Sequence, residues 1–262
     1  MTKRSSWALP YAIFLVLFVA LPLILIMVYA FQDSSGSFTF GNFTKFFTDA
    51  DAIGTFALSL EVAIENTAIC ILLGYPAAWI LANKKLNKSA VTIVLFIMPM
   101  WINALMRTLA TAELFHMLGI QLGKGTLIVG MVYDYLPFMI VPLYTVMMKM
   151  DKSLIHAAED LGANPFEVFL HVILQQSLPG ISTGITMVFI PSVSTFIISK
   201  MLGGGSELMI GDLIEMQFSS NSYNPNLGSA ISFVLMIIIL ICMSVMNQFD
   251  SDKVEKEGRM VV

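Results

Sequence analysis

Six apolar runs, at roughly 8–31, 56–82, 90–111, 126–149, 178–200 and 228–247, dominate this sequence. Each is long enough to cross a bilayer, which takes about 20 mostly apolar residues in a helix. Lipid offers backbone N–H and C=O groups no water, so a spanning segment must satisfy them internally and be helical. Composition agrees, since 57% of residues are hydrophobic and only 12% charged, against about 25% charged in soluble domains. A chain of 262 residues with this make-up lacks the polar surface to enclose a water-soluble core. The expectation is an all-α, six-span membrane protein forming a single transmembrane domain over 1–262.

The first run follows Lys3 and Arg4, as the apolar region of a secretory leader would. It exceeds the about 7–15 residues of such a region and shows no small-residue cleavage pattern, so it reads as a retained span. Cys70 and Cys242 fall inside apolar runs and read as small core residues, not as a disulfide or metal pair. Pro22, Pro76, Pro99, Pro137, Pro142 and Pro191 lie within or beside the spans and mark kinks.

Lysine and arginine set orientation, because cytoplasmic loops carry the excess. Lys3, Arg4, Lys84, Lys85, Lys88, Lys149, Lys152, Lys253, Lys256 and Arg259 fall on one side of the six-span arrangement. Only Lys45, Arg107, Lys124 and Lys200 fall on the other side or within spans. Both termini and the 83–89 and 150–177 loops are therefore expected in the cytoplasm. The outer loops, about 32–55, 112–125 and 201–227, carry Asp33, Asp49, Asp51, Glu113, Glu207, Asp212 and Glu215. The charged tail after Asn247 is expected to fray.

The 150–177 loop is unusually structured for a connection between spans. Ser153 is placed to cap a helix starting at Leu154, with Leu154, Ala157, Ala158 and Leu161 on one face. Gly162 suits a left-handed helix end. Asn164, Pro165 and Glu167 then have the form of a new start: a capping Asn, Pro at the first helical position, and Glu reaching back. Helix, Gly turn and helix are expected along the membrane surface. Ala157 and Ala158 leave a notch for a partner's close approach, with Glu159 and Asp160 on its flank. The same pattern would serve an amphipathic connection with no partner.

Ionisable residues inside spans are costly there and become candidates for function. Arg107 is either a snorkelling interfacial residue or half of an ion pair organising a gate. Asp134, between Tyr133 and Tyr135, is expected to face a cavity. Glu61 and Glu65 share a helical face, Glu61 near the outer interface and Glu65 deeper. His116, His156 and His171 all fall in loops or at their margins, and no Ser-His or Asp-Asp pairing suggests an intramembrane hydrolase. Gly123-Lys124 is followed by Gly125 and lacks the upstream glycine of a phosphate-binding loop, so ATP chemistry is not expected in this chain.

The segment "AAEDLGANPFEVFLHVILQQSLPG" resembles the EAA loop of ABC-importer permeases. Ala157, Ala158 and Gly162 match its Ala-Ala…Gly core, and Pro179-Gly180-Ile181 falls at its end. His156 stands in place of the motif's first Glu, and Gln175 where many relatives have Pro. "LLGYPAAWILA" (72–82), "MPMWINALMRT" (98–108) and "VYDYLPFMIVPLY" (132–144) are similar to permeases of spermidine/putrescine importers, in order along nearly the whole chain.

The resemblance implies a type I ABC importer permease fold with a cytoplasmic coupling helix, in a multi-pass subunit of the bacterial cell membrane. It implies a second homologous permease, two ATP-binding subunits docked under the EAA loops, and an extracellular or periplasmic polyamine-binding protein. ATP and Mg would sit on the ATPase partners, with no cofactor on this chain; lipid surrounds it and no nucleic acid is involved. Ala157, Ala158, Glu159, Asp160, Gly162 and Asn164 would form the coupling element. For a polyamine pathway, carboxylates and aromatic faces suit protonated amines separated by methylenes. Trp101, Glu113, Asp134 and Tyr135 offer that chemistry, Asn103 can bond a neighbouring helix, and Arg107 would repel the ligand. Trp and Tyr also anchor at membrane interfaces. A permease for another solute (an opine, a metal chelate or an oxyanion) would share the architecture, although an oxyanion path would want more basic residues in the spans. A secondary transporter would leave the Ala-Ala…Gly loop without a purpose.

Overall fold

The computed structural model describes residues 9–83, 87, 91–219 and 223–259, with side chains described as far as residue 244. Lys3, Arg4, Lys84, Lys85 and Lys88, which carried much of the orientation argument, lie outside the described residues, as do the side chains of Lys253, Lys256 and Arg259.

The described residues are almost wholly helical. α1 (Pro10–Ala30) is a single apolar rod whose π-turn at Val16–Ala20 adjoins Pro22, which has no N–H for the preceding turn. A short helix, α2 (Gly41–Thr48), leads into α3 (Ala50–Ala82). The side chain of Asp49 caps α3 at its start, accepting from the N–H of Asp51 and Ala52. α3 is 33 residues long and begins well before the expected 56, because that cap recruits the polar 50–55 stretch into the helix.

The third apolar run is not one straight span. α4 (Val91–Trp101), whose last turn is a 3-10 turn holding Pro99, and α5 (Ala104–Met117) meet at 93°. Ile102 and Asn103 between them are extended, and the Asn103 side chain accepts from the N–H of Leu105 to restart the helix. α6 (Lys124–Met148) follows as a continuous span containing Pro137 and Pro142.

α7 (Lys152–Asp160) is the expected surface helix, but Asp151, not Ser153, caps it, accepting from the N–H of Ser153. A carboxylate is the stronger acceptor, and its position two residues earlier brings Lys152 and Ser153 into the helix. Gly162 ends α7 with φ +86°, and Asn164 and Glu167 form the expected reciprocal cap. The helix begun there does not stay on the surface as a separate piece. α8 (Pro165–Ser194) runs 30 residues through a π-turn at Phe169–Ile173 to the far side, so the fifth span starts before 178. It also ends before 200: Thr195 and Phe196 are non-helical, and α9 (Ile197–Leu202) is a separate short helix. α10 (Ile210–Ser219) and α11 (Pro225–Arg259) complete the chain. α11 continues as helix past Asn247 where fraying was expected, as the Lys- and Glu-rich tail has no helix breaker before Gly258.

α3, α6 and α8 pack mutually and form the centre; α11 holds α1, α2 and α10 beside them, and α9 lies against α5 and α6. In lipid, spans associate through close packing and interhelical hydrogen bonds, since lipid tails are as apolar as leucine. Met139 of α6 is wholly buried and fills the notches left by Gly74 of α3 and Gly184 of α8, where an added Cβ would come within 2.8 Å of its Cγ and 2.6 Å of its Sδ. Gly180 brings α8 against the α6 backbone, with Leu143 Cα and Pro142 O 3.2 Å from the place a Cβ would occupy. Buried polar bonds add to this: Tyr75 Oη lies 3.0 Å from Ser177 Oγ, and the backbone N–H of Ile210 donates to Ser59 Oγ at 2.7 Å.

Candidate functional site

Both unwound segments border one cavity of about 590 Å³. Trp101, Ile102 and Asn103 line it from the α4–α5 break, Ser194, Thr195 and Phe196 from the α8–α9 break, and Asp134, Tyr135 and Phe138 from α6. Non-helical backbone is tolerated at membrane depth where it is buried in protein or lines a cavity, and broken helices are a recurrent way of building a transport pathway.

The sequence-expected pathway residues come together here, with one exception. Trp101, Asn103, Arg107, Asp134 and Tyr135 all line the cavity, whereas Glu113 lies outside its lining, on an exposed face of α5. Arg107 and Asp134 are 7% and 2% exposed. They meet as an ion pair, Nη2 to Oδ1 at 3.1 Å, and Thr108 donates its hydroxyl to Asp134 Oδ2 at 3.1 Å. Of the two readings of Arg107, the interfacial snorkel does not describe this geometry. Asp134 faces the cavity but is already engaged by a cation. Tyr133 lies under the guanidinium, 5.8 Å from ring centroid to Cζ, while the Tyr135 hydroxyl donates to Pro191 O at 3.4 Å across to α8. Trp101 is 81% exposed at the rim.

Glu61 and Glu65, expected at different depths, share one partner. Lys124 Nζ reaches Glu61 Oε1 at 2.7 Å and Glu65 Oε1 at 3.1 Å, tying the start of α6 to α3. The other end of α6 leads to α7. Nothing on α7 is buried: Ala157, Glu159 and Asp160 are exposed and Ala158 is half-buried. His156 Nδ1 lies 3.2 Å from Glu159 Oε2, so the residue standing where the motif has an acid contacts the acid three positions on. Asp151, exposed, has its carboxyl held below the ordinary aspartate value, first by the Ser153 hydroxyl and then by the Ser153 N–H. Leu161 and Phe166 flank Gly162 and are 88% and 70% exposed, an apolar pair displayed on a polar element.

Sequence reasoning missed Thr108, Ser194, Thr195 and Phe138 as cavity residues. Pro191, which precedes the α8 break by four residues, was the available signal for two of them.

Residues 70–253 match the family described as binding-protein-dependent transport system inner membrane component. Over 248 residues the chain is 34% identical to the spermidine/putrescine transport system permease protein PotB of Escherichia coli (strain K12), covering 86% of this chain and 90% of that protein. It is 32% identical over 269 residues to the PotB protein of Haemophilus influenzae, covering 93% of each. In fold it is similar to a chain of a bacterial ABC transporter involved in import of the acidic polysaccharide alginate, with a TM-score of 0.73 at 15% identity, covering 95% of this chain and 99% of that one.

Proposed function

Because this chain belongs to the binding-protein-dependent transport system inner membrane component family, we propose that it is a permease subunit of an ATP-driven importer of spermidine and putrescine. The observation that carries the substrate class is the near-full-length similarity to the PotB permeases. The chain is multi-pass, and in this reading both termini and α7 face the cytoplasm of a bacterial cell. A second, homologous permease completes the pathway and two ATPase subunits supply nucleotide binding and hydrolysis. A periplasmic polyamine-binding protein delivers the ligand.

α7 is the coupling helix. Ala157 and Ala158 allow close approach, Leu161 and Phe166 offer apolar contact, and Glu159, Asp160 and the Asn164 cap mark its polar border. Gly162 fixes the angle at which α7 meets α8. As α8 continues without interruption from that junction to the cavity, force applied to α7 reaches the α8–α9 break through a single helix. ATP binding biases the bundle between two arrangements by its differential affinity for them. The cavity residues Trp101, Asn103, Asp134 and Tyr135 are the pathway, with Arg107 organising it and Glu113 on the outer approach.

The test is uptake by vesicles containing the assembled complex, with binding protein outside and ATP inside. ATP-dependent accumulation of labelled spermidine or putrescine is expected. ATP-driven accumulation of some other solute, with neither polyamine transported, would sink the substrate class and keep the permease.

A further inference from the structure

The length of α1 marks where the membrane ends. Its 21 apolar residues rise about 31 Å in a helix, close to the thickness of the hydrocarbon layer. Phe31 follows the last of them and lies at the edge of that layer. The rings of Phe38, Phe40, Phe43 and Phe233 gather on Phe31, with centroids 4.9–5.8 Å away, so they share its depth. Phe43 belongs to α2, and Lys45 follows it by two residues, about 3 Å along the helix. α2 therefore sits in the interfacial layer, and it presents apolar surface there. Phe38 and Phe40, just before it, and Phe47 on it are 72%, 61% and 57% exposed. Exposed phenylalanines and a lysine on a short amphipathic helix suit an element resting on lipid.

α2 also borders a cavity of about 320 Å³. Phe46, Ala52, Leu213, Leu227 and Ile231 give it an apolar floor, and Lys45, Thr48, Asp49 and Gln217 are its polar lining. Lys124 and Lys200, the other lysines on this side of the bundle, are both paired with glutamates. Among the described residues no carboxylate forms an ion pair with Lys45. Asp49 lies one turn further on, and its Oδ1 alone takes the N–H groups of Asp51 at 3.0 Å and Ala52 at 3.4 Å. Its Oδ2 is left open. The cavity thus carries one cation and one anion that are not paired with each other.

Two separate charges over an apolar floor, at the membrane surface, match a zwitterionic lipid. We propose that this cavity holds the headgroup of an aminophospholipid, with its phosphate on Lys45 and its primary ammonium donating to Asp49 Oδ2. The glycerol end then lies over Leu227 and Ile231, where α11 enters the membrane. An anionic headgroup without an ammonium satisfies Lys45 but meets Asp49 as a like charge. A choline headgroup has the positive charge but no N–H to donate. The site goes beyond the importer reading and holds whichever solute the complex carries.

The experiment reads the thermal midpoint of the assembled complex in nanodiscs. These contain phosphatidylcholine alone, or phosphatidylcholine with an equal share of phosphatidylethanolamine or of phosphatidylglycerol. Phosphatidylethanolamine should raise the midpoint above both other compositions. Lys45→Met and Asp49→Asn should each lose most of that gain. Both should keep the midpoint in phosphatidylcholine near its original value, since Lys45 is exposed and Asn caps a helix about as well as Asp. The comparison between proteins decides, because general effects of lipid shape are common to all three. Equal gains in all three would overturn the site. An equal gain from phosphatidylglycerol, lost in Lys45→Met but kept in Asp49→Asn, would overturn the zwitterionic ligand. Weaker docking of the binding protein in Lys45→Met, with no lipid dependence in any of the three, would overturn the proposal in favour of a protein occupant.

Discussion

Asn66 donates from Nδ2 to Ser192 Oγ at 2.7 Å, and neither residue has any exposed surface. The bond ties the middle of α3 to the last turn of α8, just before α8 breaks at the cavity. Ser192 passes its own proton to Val188 O at 2.6 Å, so its oxygen is free to accept. Replacing Ser192 with Ala strands a buried amide N–H, at about 1–3 kcal/mol, while interhelical bonds in membranes average about 0.6 kcal/mol in net terms. Ser192→Ala should therefore lower the thermal midpoint of the purified complex more than the net worth of one bond would. The double variant Asn66→Val, Ser192→Ala should recover part of that loss. An unchanged midpoint in Ser192→Ala would show that the bond contributes nothing.

Gly162 sits at φ +86° with no atom within 4 Å of the place a Cβ would occupy. A side chain there meets no clash, and its only cost is the left-handed backbone, about 1–2 kcal/mol. Gly162→Val should accordingly leave membrane insertion intact but reorient or loosen α7, lowering both ATPase co-purification and ATP-driven uptake. Asn tolerates that conformation better than other residues, so Gly162→Asn should retain most of both. Equal losses in the two variants would mean that side-chain bulk at the docking surface, not backbone angle, is what matters.

This turn was legible in the sequence because each piece is local: a glycine, a capping Asn, a proline and a glutamate within six residues specify their own geometry. The apolar runs were legible for a similar reason, since bilayer thickness imposes a length that hydropathy reports. Hydropathy carries no direction, however, so the 90–111 run looked like one span although it turns through 93°. Pro99 indicated a kink and Asn103 was noted, but the angle is set by how α5 packs on α6 and α9, which no local pattern contains. The Arg107–Asp134 contact joins two helices, and reading each residue alone left one as a snorkel or gate and the other as a cavity acid. The choice of Asp151 over Ser153 as the α7 cap turned on two candidates two residues apart, and a carboxylate's stronger acceptance decided it.

That cap gives α7 a pH dependence. The Asp151 carboxyl is lowered from the ordinary 3.8, principally by the Ser153 hydroxyl and N–H. A depressed acid contributes stability that is present above its unfolded value and is lost as pH falls through the folded one. Protection of the Ser153 amide against hydrogen exchange, after correction for intrinsic rates, should hold at pH 5 and above and fall once pH drops below about 3.9. Asp151→Asn should show lower protection that does not change across that range. A parallel pH response in Asp151→Asn would assign the effect to another acid.

Gly180 and Gly184 allow a comparison in which the shorter distance should matter less. A Cβ on Gly184 would come within 2.6 Å of Met139 Sδ, while one on Gly180 would lie 3.2 Å from Leu143 Cα and from Pro142 O. Met139 Sδ belongs to an unbranched side chain that can rotate away. The Gly180 neighbours are two backbone atoms and Val146 Cβ, which is fixed to its own backbone, so relief there requires α6 and α8 to separate. Against either cost stands the helix preference of Ala over Gly, about 0.8–1.0 kcal/mol. Gly184→Ala should leave the midpoint of the complex near its original value, and Gly180→Ala should lower it. Because Gly180 lies on the α8 segment between α7 and the cavity, Gly180→Ala should also reduce uptake per ATP hydrolysed, a ratio that simple loss of folded protein would not alter. The reverse order of midpoints would place the tight contact between these spans at Met139 and not at the Gly180 backbone crossing.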